Sequence, residues 1–245
     1  MWKWYHSKVI QIEAIAPTTR RFWLQIEGDE PFEFKAGQFV TMDLPISEKR
    51  LKRWRSYSIA STPTLPASNV LEFCIVRSDT GAGTKYLFEE ATVGTNIRFK
   101  APDGNFILTE ERIAAKNLVF ICTGTGVAPF RSMIHDILNR QLPYKKLHLI
   151  FGTRTEEGIL YRKEFEDLQF KYPNFKYDVV LSRPQPNWTG RRGYVHQVYM
   201  ETYPNPAADM DFWICGWSKM IDEAVEHLLL DLKCAQSQIH YELYG

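Results

Sequence analysis

Residues 123–129 read TGTGVAP and residues 55–58 read RSYS. In the first stretch, Gly124 and Gly126 let the backbone approach a phosphate closely. Pro129 suits the first turn of a following helix, whose free N–H groups would face the anion. The spacing departs from GxGxxG because Pro129 stands where the third glycine would; a plain tight turn is the competing reading. In the second stretch, on an alternating strand, Arg55 and Tyr57 share one face and Ser56 and Ser58 the other, so a cation and a flat ring stand side by side. That pair suits a phosphate attached to a planar ring system, and the alternative is a surface arginine beside a half-buried core tyrosine. Cys74, Cys122, Cys215 and Cys234 are too scattered for a zinc site or an iron–sulfur loop, so no metal is expected in this chain.

Both stretches need a scaffold, and the chain changes rhythm between them. Residues 8–14, 21–26, 38–44, 56–60, 71–77 and 96–101 are short, branched or aromatic, and bounded by Gly, Pro or Asn. Six such strands suggest an antiparallel barrel. A helical piece at 84–90 follows Gly81 and Gly83, is too short for a crossover between parallel strands, and should cap the barrel's mouth. After Pro102-Asp103-Gly104, apolar runs at 118–122, 147–151, 177–181 and 212–215 alternate with helical periods at 129–139, 162–170, 195–200 and 220–233. That alternation predicts a parallel sheet covered by helices. The expected domains are 1–110 and 114–245, divided at a charged connector near Thr109 to Lys116 without strand character. An open parallel sheet places its ligand beyond the carboxyl ends of its strands, where TGTGVAP sits.

Composition excludes several classes. Of 245 residues 44% are hydrophobic and 24% charged, which argues against disorder and coiled coil, and 30 Lys and Arg balance 29 Asp and Glu, so no global charge recruits nucleic acid or membrane. The sequence has no run of 18 apolar residues, and its start, MWKWYHSKVI, lacks the pattern of a secretory leader. A cytoplasmic, monomeric protein without disulfides is expected.

Five motifs in order, RSYSIAST (55–62), GTKYL (83–87), TGTGVAPFRS (123–132), CGWSKM (215–220) and YELY (241–244), resemble the ferredoxin–NADP reductase family over nearly the whole chain. The resemblance implies an N-terminal antiparallel flavin-binding β-barrel and a C-terminal α/β parallel-sheet domain for a nicotinamide nucleotide. It implies that Arg55 pairs with the flavin diphosphate, that Tyr57 lies along the isoalloxazine and ribityl, and that Ser58 stands near flavin N5. Cys74 and Val76 would hold the flavin through backbone groups, and Gly83 and Thr84 would open a short helix at the diphosphate, which makes the flavin FAD rather than FMN.

In the second domain the resemblance places Thr123, Gly124, Thr125 and Gly126 under the nucleotide diphosphate. Cys215 faces the nicotinamide, with Gly216 giving the backbone room; the plainer reading of Cys215 is a buried small apolar residue. Glu242 would relay or balance a proton beside N5, and Tyr244 would cover the flavin as a displaceable lid, unless it is a packed core ring. Gly245 follows that ring where plant-type members stop. Cys122 and Cys234 match no family role, so core packing is expected for both. Ser182 and Arg183, and Arg192 and Tyr194 after Gly190, fall at the interval plant-type reductases use for the 2′-phosphate and adenine, with Arg154 a weaker candidate. NADPH is therefore favoured, although GRRGYV also resembles a turn in NADH-using relatives.

The implied activity is hydride transfer between NADPH and FAD, with single electrons passed to or from ferredoxin or flavodoxin. The alternatives are an NAD(P)H:flavin reductase or an oxygenase reductase component, and, from another class, a non-catalytic binding module of the same fold. Lys49 to Arg55 packs five cations into seven residues, either as a solvated loop or as a dock for an acidic partner.

Overall fold

A computed structural model describes residues 3–63 and 69–244. Its contacts divide the chain into two compact units, Met1–Ile107 with Arg131–Asp136, and Leu108–Phe130 with Ile137–Gly245.

The first unit is a six-stranded antiparallel sheet in the order β4-β3-β6-β1-β2-β5, with β1 Lys3–Ala16, β2 Thr19–Ile26, β3 Phe39–Asp43, β4 Trp54–Ser58, β5 Val70–Val76 and β6 Asn96–Asp103. Alternation decides which side faces in: Phe22, Leu24 and Ile26 of β2 are buried and pack with Val9, Val40, Met42, Ile59, Leu71, Phe73 and Phe99. The sheet closes on itself where Ile59 bridges Phe73 and the Ala60 N–H donates to the Glu72 carbonyl at 2.8 Å. β1 starts five residues before the expected Lys8, because Lys3–Lys8 pairs with β6 whereas Ser7–Ala16 pairs with β2. One strand thus serves two partners, which its apolar pattern does not show. A single helical turn, α1 (Arg50–Arg53), precedes β4, and α2 (Ala82–Glu89) follows β5 where a helix is expected.

The second unit is a parallel sheet in the order β10-β9-β8-β7-β11-β12, built from β7 Asn117–Thr123, β8 Lys146–Thr153, β9 Phe175–Leu181, β10 Arg191–Arg192, β11 Met210–Trp217 and β12 Ile239–Tyr244. Its helices are α3 Glu110–Ala115, α4 Val127–Asn139, α5 Arg162–Lys171, α6 Val195–Thr202 and α7 Ser218–Glu226. Val119, Ile121, Ile150, Phe212 and Ile214 form one buried face under α6 and α7, while Phe130 of α4 stacks on Phe120 on the other at 4.8 Å. Beyond the four expected strands, β10 and β12 form the two edges of the sheet, and a connector and a helix end also differ from expectation. The connector at 109–116 contains α3, whose N-cap Thr109 accepts from the Arg112 N–H and whose first turn carries Glu110 and Glu111; a helix of six residues is too short to show a period. The helix expected to run to Lys233 stops at Glu226 and continues as a π turn, His227–Asp231, before Lys233 adopts a positive φ of 54°.

Among the described residues, no helix is long and apolar enough to cross a membrane, and no three acidic, His or Cys groups gather as a metal site.

Asp211, buried on β11, pairs with Arg112 and lies 3.6 Å from His240 Nε2. Burial alone would raise its pKa, but hydrogen bonds from His240 and Arg112 prevail and hold the carboxyl below its ordinary range. Its folded pKa is depressed, so its stabilisation is present above the unfolded carboxylate value, about pH 4, and is lost as pH falls through the lower folded value. Asp211→Asn should cost about 2 kcal/mol at pH 7 and less near about pH 3, which urea unfolding at the two pH values measures.

Candidate functional site

In the first unit, β4 and the start of α2 bring the expected anion-binding groups together. The aliphatic stem of Arg55 lies against Gly83, where an added Cβ would stand 2.8 Å from Arg55 Cγ. The guanidinium donates through Nη1 to the Lys52 and Trp54 carbonyls at 3.0 and 2.7 Å. α2 begins at N-cap Gly81 with no acidic residue in its first turn, so its first N–H groups face an anion unopposed. The Thr84 hydroxyl accepts from the Ser78 N–H at 3.0 Å and reaches the Gly81 carbonyl at 3.0 Å, stitching the preceding loop. Backbone N–H groups and Arg55 are the groups at this helix end that could donate to an anion.

Tyr57 is half-buried against the barrel core, and burial pushes its hydroxyl up to about 12, with Arg55 pulling the other way. It stays neutral at physiological pH. Ser58 and Cys74 are buried at 6% exposure, while Ser56 lies outside with its hydroxyl 3.1 Å from that of Thr41. On β5, Glu72 accepts from the Ala60 N–H and its own N–H donates to Ser61 Oγ at 3.1 Å, so its backbone faces away from β2. Strand alternation turns the backbone of Cys74 and Val76 the same way. A cation against a glycine in the first turn of a helix, a neutral half-buried ring and outward strand groups fit a planar ring carrying a diphosphate.

In the second unit, β7 and β11 run side by side into their loops. Gly124 has a φ of +53° and Gly216 one of +144°, conformations that disfavour a side chain. A Cβ on Gly126 would collide with the Cys215 carbonyl, and one on Gly216 would stand 2.6 Å from Thr123 Oγ1. The two loops thus meet backbone to backbone. Thr123 Oγ1 is buried there without a hydrogen-bond partner, a polar atom that a bound group would satisfy. Pro129 is the third residue of α4, where its missing N–H leaves no carbonyl unserved. These features fit a nucleotide diphosphate.

Register adds a row that spacing alone does not reveal. Cys122 pairs with Cys215 and Cys215 with Glu242 on three neighbouring parallel strands, so the three side chains share one face. Cys122 and Cys215 are fully buried. Burial pushes the Cys215 thiol well up, Glu242 adds to this, and a hydrogen bond with Tyr244 opposes it. The thiol is therefore neutral, suited to contact rather than to nucleophilic attack. Cys234 is buried in the face under α7, as expected.

The residues expected at the adenosine end sort into two kinds. The Ser182 N–H donates to the Thr153 carbonyl at 3.0 Å and the Arg183 N–H to the Arg154 carbonyl at 2.8 Å, which ties the loops after β8 and β9 together. Arg154 and Arg183 are thereby neighbours, both exposed, and neither guanidinium has a hydrogen-bond or ion-pair partner among the described residues. Arg192 is different: its Nη2 reaches the Gln185, Pro186 and Trp188 carbonyls at 3.2, 3.0 and 2.8 Å. It ties its own loop. Tyr194 is 61% exposed and stacks on His196 with centroids 5.6 Å apart, leaving the other ring face open. Sequence reading missed His196, and also Asp178 and Glu201, because contacts across β9, β10 and α6 leave no local pattern.

Residues 6–107 match the model of an oxidoreductase FAD-binding domain, and residues 120–226 that of an oxidoreductase NAD-binding domain. The chain is 32% identical to ferredoxin–NADP reductase B of Sorangium cellulosum over 98% of its own length and 97% of that protein's. It is 31% identical to the phenol hydroxylase P5 protein of Acinetobacter pittii, over 98% of this chain but only 65% of that relative. A crystal structure of a ferredoxin NADP+ reductase from Neisseria gonorrhoeae with bound FAD and NADP superposes with a TM-score of 0.81 at 25% identity, covering 98% of both chains.

Proposed function

Because the chain belongs to the ferredoxin–NADP reductase family, we propose that it is an FAD-containing oxidoreductase that moves hydride between NADPH and flavin N5 and exchanges single electrons with a ferredoxin or flavodoxin. The bound flavin supplies the step between two-electron and one-electron chemistry. The chain's residues supply binding, orientation and proton handling. Arg55 and the first turn of α2 hold the flavin diphosphate, Tyr57 lies along the ring, and the outward backbone of Cys74 and Val76 orients it. Ser58 offers a hydroxyl at N5, and Glu242 relays or balances the proton. Gly124, Gly126 and Gly216 let the nucleotide approach the backbone, with Thr123 as donor and Cys215 as a neutral contact for the nicotinamide. Tyr244 is the displaceable lid.

The observation that carries NADPH over NADH is the unpaired Arg154 and Arg183 pair, because a 2′-phosphate satisfies two guanidinium groups that NADH would leave facing only water. Anaerobic stopped flow tests the reading: NADPH should bleach the flavin at about 450 nm faster than NADH at equal low concentration. Equal or faster bleaching by NADH would move the protein to a second reading, a reductase component of an oxygenase, which the likeness to the phenol hydroxylase P5 protein favours.

Partner docking rests on Lys49 to Arg55. Asp43 pairs with Arg53 at 2.8 Å and Arg55 is assigned to the flavin diphosphate, which leaves Lys49, Arg50 and Lys52 exposed and, among the described residues, without an ion pair. Three exposed cations, of which Arg50 lies over the Trp54 ring, suit an acidic carrier, whose association falls with salt. Cys74, Cys122, Cys215 and Cys234 form no disulfide, which fits a cytoplasmic location.

A further inference from the structure

The segment between β9 and α6 carries Arg192 and Tyr194, yet its ladder with the sheet is just the two residues of β10, which pair with Val180 and Leu181. Two residues of ladder are a weak anchor. The stronger hold comes from the Arg191 side chain. Its Nη1 lies 2.7 Å from Glu201 Oε2 on α6, and its Nε 3.4 Å from Asp178 Oδ1 on β9. Asp178 is itself fixed, since Oδ2 lies 2.9 Å from His148 Nε2 and 2.7 Å from Lys176 Nζ, and His148 Nδ1 lies 2.7 Å from the Tyr203 hydroxyl. The Glu201 contact is the shorter, but the Asp178 side chain is 17% exposed and that of Glu201 69%, so water screens the Asp178 contact less.

From Arg191 the constraint passes into the loop. The Arg191 carbonyl accepts from Trp188 Nε1 at 3.0 Å, Arg192 gathers three loop carbonyls, and the Gly193 N–H donates to the Leu181 carbonyl at 2.8 Å. Tyr194 follows directly, beside the strand end that leads into Ser182 and Arg183. Burial works against ionisation of Asp178, but hydrogen bonds from His148 and Lys176 keep its carboxyl well below the usual range, so it is an anion whenever the nucleotide binds. His148, Lys176, Arg191 and Tyr203 are charged or titratable groups that act on it.

We propose that Asp178, acting through Arg191 and assisted by Glu201, is a positioning residue for the adenosine end of the nucleotide, setting where Tyr194 stands relative to Ser182 and Arg183. The proposal rests on the reading that this end of the sheet holds NADPH. It predicts an effect on binding that leaves chemistry alone. Asp178→Asn keeps the shape but leaves Arg191 and Lys176 without the anion they share, so the loop loses its fixed place.

The test uses FAD-loaded enzyme carrying Asp178→Asn, Arg191→Met, the pair together, and Glu201→Gln. KM and kcat are measured with NADPH, and adenosine 2′,5′-bisphosphate is titrated by calorimetry. Asp178→Asn should raise KM and the bisphosphate Kd about tenfold with kcat within about twofold. Arg191→Met should match it, and the double variant should be no worse than Arg191→Met, because both act through one link. A fall in kcat at unchanged KM, an unchanged Kd, or additive losses would each overturn the proposal. If Asp178→Asn does not fold, Glu201→Gln, altered at an exposed position, should still raise Kd about threefold, and no change there overturns it. Wild-type enzyme that fails to bind the bisphosphate would instead defeat the nucleotide reading.

Discussion

Gly126→Ala lowers kcat/KM for flavin reduction by NADPH about 100-fold, because displacing reacting groups by about 1 Å costs that much. The added methyl would occupy the space of the Cys215 carbonyl and press on Gly216 Cα, 2.8 Å away. Neither neighbour is a flexible side chain that can swing aside, so the backbone of β11 has to shift. That shift moves Cys215 and Gly216, the two residues assigned to the nicotinamide. The barrel has no part in this contact, so FAD retention after gel filtration should be unchanged. The comparison variant is Thr125→Ala, which adds no atoms and should cost under tenfold, or about 1 kcal/mol, as for one neutral hydrogen bond. Stopped-flow bleaching on both variants checks the pair, and equal rates in Gly126→Ala and wild type would remove TGTG from the site.

The second large effect is on nucleotide choice. Arg154→Ala with Arg183→Ala should raise KM for NADPH about 100-fold, or about 2.7 kcal/mol for two exposed charge-assisted contacts, while KM for NADH changes less than about threefold. The sign follows from chemistry: only NADPH carries the 2′-phosphate, and both guanidinium groups lack a protein partner among the described residues, so their removal breaks no internal bond. Arg192→Ala is the informative contrast. It frees the Gln185, Pro186 and Trp188 carbonyls, so it should weaken both nucleotides by loosening the loop under Tyr194. Steady-state kinetics with each nucleotide separate the two patterns. Equal losses for NADPH and NADH in the double variant would refute the 2′-phosphate assignment.

These contrasts mark where sequence reading stops. Ser182, Arg183, Arg192 and Tyr194 share one short region, and nothing in their spacing separates an arginine without a protein partner among the described residues from one that ties a loop. The difference lies in three carbonyls that only the folded loop brings to Arg192. Thr84 behaves likewise: its place at a helix start was legible, but Ser78, six residues back, engages its hydroxyl. Arg55 and Gly83 lie 28 positions apart in the chain, and their contact exists only because β4 and α2 meet.

The sequence by itself determined the two-domain architecture and the backbone character of both loops. Period-two alternation in residues such as Phe22, Leu24 and Ile26, β/α alternation after Gly104, and glycines at 124, 126 and 216 are local properties, and local sterics and burial act on them wherever the chain goes. The tertiary structure alone decided the Cys122, Cys215 and Glu242 row, which depends on strand order and register, and the grip of Asp178 and Glu201 on Arg191. Ion pairs and register join residues far apart in sequence, and their energy depends on distances that only the folded chain creates.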